Sequence, residues 1–198
     1  NRLLSKILKR LSQENLSAFL SEITMANYSK QIDIEKLPNS FLNSIINSLI
    51  QEKNLDFQNN KILAIYAKSN PLGLIDFFRK RIKISHKANK DILFGSYDAV
   101  PYHLDDITEV IPTHSDYRKV INKVLSEWME KGDTILKYEG RHILYELSPD
   151  IDKTLKSELL GLIKTGNQSK IKVALDVLDG YKGNPVIDDL CKEALKIS

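Results

Sequence analysis

Apolar residues recur at spacings of three and four along most of the chain, which is the signature of helices. In 134–147, Leu136, Gly140, Ile143, Leu144 and Leu147 fall on one stripe. In 116–131, Ile121, Val124, Leu125 and Trp128 do the same. In 168–179 the stripe is Ile171, Ala174, Leu175 and Leu178, and in 185–197 it is Ile187, Leu190, Cys191 and Ala194 with Leu195 beside them. Each stripe is one helix face that must pack on a neighbour. No pair of alternating runs flanks an Asn-Gly or Asp-Gly, so no hairpin is expected. Two short apolar runs resemble strands. Residues 61–66 fit a helix better, through Ile62, Ile65 and Tyr66, and residues 91–94 read as loop or a single helical turn.

Punctuation places the boundaries. Pro38, Pro71 and Pro185 each stand near the first turn of an apolar-periodic segment, where a missing N–H costs nothing. Asn70 and Asn184 precede two of them as cap-type residues. Ser115 is the expected cap of one helix, and Asp133 or Thr134 of the next; Gly132, Gly166 and Gly180 or Gly183 mark stops. The pattern predicts helices at 2–11, 15–28, 38–53, 59–69, 71–84, 104–111, 115–131, 134–147, 152–165, 168–180 and 185–197. The connection 85–103 is long for a compact helical domain, which marks either a functional loop or an element that the pattern hides.

Segment starts near Pro38, Pro71, Ser115, Ile151 and Pro185 recur at the period of helix-pair repeats. The clearest unit is 151–183. Its first helix carries Leu155, Leu159, Leu160 and Ile163, a Thr165-Gly166-Asn167 turn follows, and its second helix carries Ile171, Ala174, Leu175 and Leu178. The run TLKSELLGLIKTGNQSKIKVALDVLDGY resembles a HEAT repeat, strongly over 115–198 and more weakly over 30–84. The resemblance implies an all-α fold, a right-handed α-α superhelix in which helical pairs stack as a short solenoid. It implies a single HEAT-like array over 1–198, with N-terminal helices at 1–84, an irregular connection at 85–114 and the best-formed repeats at 115–198. HEAT consensus residues are core packers, so no catalytic residue is carried over. NPLGLIDFFRKRI, YDAVPYHLDDI and GNPVIDDLCKEAL are also similar to the C-terminal helical arrays of bacterial STAND-type NTPases. That resemblance implies the repeat-built sensor segment of such a protein.

Composition narrows the setting. No stretch approaches the ~20 apolar residues that a membrane span needs, and no apolar run near Asn1 resembles a signal peptide. The start at Asn1, already in helical pattern, reads as a fragment of a longer protein. A single cysteine, Cys191, cannot form an intramolecular disulfide or a cysteine-rich zinc site, which favours a reducing, cytoplasmic setting. The net charge of +3 falls short of a dedicated nucleic-acid domain.

Candidate chemistry is sparse. Cys191 lies on an apolar stripe with no histidine near it in sequence and is expected in the core. Of His86, His103, His114 and His142, His103 and His114 stand near carboxylates, but these are pairs without metal-ligand spacing, so surface or capping roles are expected. No Walker loop, Gly-x-Gly-x-x-Gly or Gly-x-Ser-x-Gly occurs, so neither a cofactor nor an enzymatic activity is expected. Trp128, Tyr138 and Tyr145 are expected to pack between helices. The most one-sided charge run is Arg79, Lys80, Arg81, Lys83, Lys87 and Lys90, with no acid between 77 and 90 and with Phe77 and Phe78 turned inward. Aromatics follow in the connection, Phe94, Tyr97 and Tyr102. Residues 79–103 therefore either face a partner or plug the gap between the halves of the array. The candidate partner-binding residues are Arg79, Arg81, Lys83, Lys87, Tyr97 and Tyr102. The expected function is a non-catalytic interaction scaffold or sensor segment whose partner is another protein or another domain of the same chain. The alternative is a nucleic-acid-binding array, in the extreme an enzyme like the HEAT-repeat DNA glycosylases.

Overall fold

The structure is a computed structural model, and it describes residues 13–55, 57–88, 99–101, 103–181, 183 and 186–195. It is 79% helix, with no strand among the described residues. The helix expected at 2–11 and the short run 91–94 lie outside them. The chain divides into two compact units, residues 1–114 and 115–198.

Unit 1 contains α1 (Gln13–Tyr28), α2 (Asn39–Leu49), α3 (Phe57–Ser69), α4 (Pro71–Ala88) and α5 (Asp105–Val110), with 3-10 turns at Ile34–Lys36 and Ile111–Thr113. The central element is α3. Its buried residues Ile62, Leu63, Ala64, Tyr66 and Ala67 spread over more than half of its circumference, and Phe57, Lys61, Ile65 and Lys68 occupy the rest. An apolar face that wide needs more than one neighbour to cover it. Accordingly α1, α2, α4 and α5 all pack on it.

Unit 2 contains α6 (Tyr117–Lys123), a π-helical continuation at Val124–Glu130, α7 (Thr134–Leu147), the short α8 (Ile151–Thr154), α9 (Lys156–Lys164), α10 (Gln168–Leu178), a 3-10 turn at Asp179–Tyr181 and α11 (Val186–Leu195). The sequence predicts a plain helix over 115–131, yet its second half is π-wound. The buried pairs Val120–Ile121, Val124–Leu125 and Trp128–Met129 recur every four residues. On an α-helix a four-residue repeat drifts by about 40° per step. The wider i→i+5 winding drifts the other way, so an α segment followed by a π segment keeps all three pairs facing inward. Against this face, α7 presents the stripe read from the sequence: Leu136, Gly140, Ile143, Leu144 and Leu147 are all buried. A side chain at Gly140 would meet Met129 Sδ at 2.9 Å and Trp128 Cβ at 3.4 Å, so the glycine permits the close approach.

The caps follow the punctuation in part. Asp133 accepts from the Leu136 N–H (2.9 Å) at the start of α7, and Asn70 accepts from the Gly73 N–H (2.9 Å) at the start of α4. Asn167 accepts from the N–H groups of Ser169 and Lys170 at the start of α10, directly after Gly166, whose φ of +67° turns the chain out of α9. Ser115 does not cap α6. That helix begins at Tyr117, after Asp116, which makes no side-chain cap bond. The helix expected over 152–165 is broken at the buried Leu155 into α8 and α9.

Two apolar stripes are corrected. On α10 the buried residues are Val173, Ala174, Val177 and Leu178, while Ile171 is half-buried and Leu175 is 53% exposed. Ala174 and Leu178 belong to both possible stripes, so periodicity alone could not choose between them. On α11, Leu190 is buried, whereas Cys191 is exposed and Leu195 is 75% exposed. Cys191 is therefore not a core residue. The α11 face that packs on α9 is the one carrying Leu190, and Cys191 lies about 100° further round the helix.

Candidate functional site

The basic run of the sequence lies on α4, and the fold sorts it by helix face. Leu74, Ile75, Phe77, Phe78 and Ile82 are buried in unit 1. The other face carries Asp76, Arg79, Lys80 and Lys83 at spacings of three, one and three, which is one stripe of an α-helix. These four residues line an open depression of about 290 Å3. Lys80 and Lys83 are exposed, and Asp76 and Arg79 are half-buried. The stripe thus presents three cations and one carboxylate on two helical turns.

The N-terminal end of α4 is anchored by a polar chain. Tyr66 Oη donates to Asn43 Oδ1 (3.0 Å) and accepts from Asn70 Nδ2 (2.9 Å), while Asn70 Oδ1 receives the Gly73 N–H. A Cβ at Gly73 would fall 2.5 Å from Tyr66 Oη, so this anchor requires glycine. Burial pushes the Tyr66 phenol above its ordinary pKa.

Arg81 does not belong to the exposed face. It is fully buried. Its Nε donates to the carbonyl of Ala99 (2.9 Å), and one terminal nitrogen donates to the carbonyls of Leu49 (2.7 Å) and Glu52 (2.6 Å). The guanidinium carbon lies 5.7 Å from the centre of the Phe77 ring. Arg81 thus ties the α2–α3 connection to the buried residues 99–101. Its place among the candidate partner contacts is corrected: it is a structural donor inside unit 1. Sequence reasoning missed this because Arg81 stands between two exposed cations. The available signal was its position, three residues after Phe78 and next to Ile82 on the apolar side of the helix.

The other candidates separate. Arg79 and Lys83 stand on the stripe. Lys87 lies within α4, but its side chain, together with Tyr97 and Tyr102, lies outside the described residues. The aromatics of unit 2 also diverge from expectation. Trp128 is buried, but Tyr138 is 65% exposed and Tyr145 is 51% exposed, with its ring 5.3 Å from that of Tyr181. No group of three or more histidine, cysteine or acidic side chains converges on a metal-sized site among the described residues. Among the same residues, no helix is long and apolar enough to cross a membrane.

Compared with known proteins, the chain matches no protein-family model, no curated protein and no solved structure.

Proposed function

We propose that this chain is a non-catalytic helical interaction module that docks an acidic segment of a protein partner, or of another domain of the same chain, on the outer face of α4. The observation that carries the reading is the sorting of α4, which puts Arg79, Lys80 and Lys83 together in one depression while Ile75, Phe77, Phe78 and Ile82 are buried. Clustered cations steer an acidic partner toward them and set its orientation. The HEAT-like helical pairs read in the sequence fit such a scaffold, as does a role as the sensor segment of a larger STAND-type protein. Nucleic acid is the second reading. Single-stranded nucleic acid favours cations interleaved with exposed aromatics. On the described part of α4 the aromatics Phe77 and Phe78 are buried, and Asp76 interrupts the stripe with a like charge for phosphate.

The test is a charge reversal, Lys80→Glu with Lys83→Glu, in the intact chain. Both side chains are exposed, so the melting temperature is expected to stay within a few degrees of the parent. Binding of a glutamate-rich peptide should be salt-sensitive and weaken about tenfold or more in the variant, which corresponds to about 1.4 kcal/mol. Equal binding by parent and variant overturns the proposal. Tighter binding of duplex DNA than of the acidic peptide, with a steep salt dependence, would establish the nucleic-acid reading instead.

A further inference from the structure

Unit 1 has a second concavity, formed by different residues. On α3, Phe57, Lys61, Ile65 and Lys68 share one stripe, and α1 and α5 flank it. Between them lies a cleft of about 260 Å3. Its floor is apolar, with the buried Ile34, Ile62 and Ala64. Its charged groups are sorted by wall: Lys61 and Lys68 come from α3, and Asp106 and Glu109 come from α5. Tyr28, at the end of α1, lines the cleft and is 80% exposed.

Three of the polar lining residues are already engaged. Lys68 is paired with Glu35. Asn27 Oδ1 accepts the Ile34 N–H at 2.9 Å, and Thr24 Oγ1 donates to the Leu20 carbonyl at 2.8 Å. Three charges are left. The Lys61 ammonium sits 4.4 Å from the centre of the Phe57 ring. The Asp106 and Glu109 carboxylates stand one turn apart on α5, and neither is in an ion pair with a described residue. The cleft therefore offers two anions on one wall, one cation on the other and an apolar floor. Its complement is a small molecule with two positive groups, one negative group and a short apolar body. The volume lies below the ~300–1,000 Å3 of drug-sized sites, which restricts the occupant to the smallest ligands.

We propose that this cleft binds a basic α-amino acid, with its carboxylate on Lys61, its ammonium and side-chain cation on Asp106 and Glu109, and its methylene chain over Ile65 and Val110. The same chemistry is available from a free amino acid or from the C-terminal residue of a peptide, which keeps the carboxylate and the side-chain cation but not the α-ammonium. This proposal is independent of the α4 stripe, because no residue is shared between the two sites.

The experiment is calorimetric titration of the intact chain with L-arginine and L-lysine. L-Leucine, agmatine and N-acetyl-L-arginine serve as comparison ligands. Saturable one-to-one binding of the two basic amino acids is expected, with L-leucine weaker by about tenfold or more. Agmatine lacks the carboxylate and should bind more weakly than L-arginine to the parent but equally to Lys61→Met. Asp106→Asn with Glu109→Gln should weaken L-arginine at least tenfold, with an unchanged circular dichroism spectrum. N-Acetyl-L-arginine binding as well as L-arginine assigns the site to a peptide C-terminus, and weaker binding assigns it to the free amino acid; either result supports the cleft chemistry. The proposal is overturned if the parent shows no saturable binding of either basic amino acid, if L-leucine binds as well as L-arginine, or if the folded double variant binds as the parent does. The comparison of L-arginine and L-lysine with L-leucine uses the parent protein alone, so the test stands even if a variant does not fold.

Discussion

In unit 1 the carbonyls at and just beyond the end of α2 are reached by a guanidinium; in unit 2 the carbonyls that end α7 are reached by phenols. The problem is the same in both. The last carbonyls of a helix have no partner within it, and when buried they need donors from elsewhere. Arg81 supplies the donors for Leu49 and Glu52 and adds Ala99. In unit 2, Tyr181 Oη lies 3.2 Å from the Leu144 carbonyl and 3.0 Å from that of Ser148. Tyr117 Oη lies 3.1 Å from the Leu147 carbonyl and 2.5 Å from Ser148 Oγ, and Ser148 is itself fully buried. A guanidinium spans several acceptors in one plane, and so can tie together segments distant in sequence. A phenol offers a single proton, but it brings a large apolar ring that fills the surrounding core without burying a charge. Unit 1 thus depends on one charged side chain, while unit 2 distributes the task over two neutral ones.

The sharpest way to break this contrast is Arg81→Met. It removes the guanidinium from the Leu49, Glu52 and Ala99 carbonyls, of which Leu49 keeps the Glu52 N–H (3.2 Å), and a buried acceptor left unsatisfied costs about 1–3 kcal/mol. A loss of roughly 3 kcal/mol or more is expected in urea unfolding. Hydrogen exchange should place the lost protection in residues of unit 1. Arg81→Lys should recover only part of it, because an ammonium lacks the planar fork. An unchanged midpoint would show that Arg81 does not hold unit 1 together.

Tyr181→Phe should have a smaller effect, about 1–2 kcal/mol, because it removes one proton and keeps the ring. It also tests the pH dependence. Burial, first of all, pushes the Tyr181 phenol far above its ordinary value, and burial pushes the Tyr117 phenol up as well. Above about pH 10 the unfolded chain gives up these protons while the folded chain keeps them. Stability from these groups is therefore complete below pH 10 and falls as the pH rises beyond it. Melting temperatures taken across that range should fall less steeply for Tyr181→Phe than for the parent. Parallel curves would contradict the burial of this hydroxyl.

The smallest effect is expected at Cys191. Because the side chain is exposed, Cys191→Ser should shift stability by no more than about 0.5 kcal/mol. A thiol reagent should modify it in the native protein without denaturant. Slow modification that tracks global unfolding would return Cys191 to the core and require α11 to be rotated.

The pattern of residues by itself determined that the chain is helical, where most helices begin and end, and which stripe of α7 is buried. These properties are local: a 3.6-residue period, a capping side chain or a glycine acts within one or two turns. It misjudged the roll of α10, because Ala174 and Leu178 serve two overlapping stripes. It misplaced Cys191, because a stripe on a single helix does not say how much of that stripe a neighbour covers. It placed Arg81 among surface cations, because charge is read from the residue type while burial is set by elements far away in sequence. The partners of Arg81 lie 32, 29 and 18 residues from it. The opposed charges of the α3–α5 cleft were equally invisible, since Lys61 and Asp106 meet a common cavity only after α5 packs on α3. Periodicity fixes each helix as an object, and only packing decides which of its polar groups are enclosed, which are paired and which remain available.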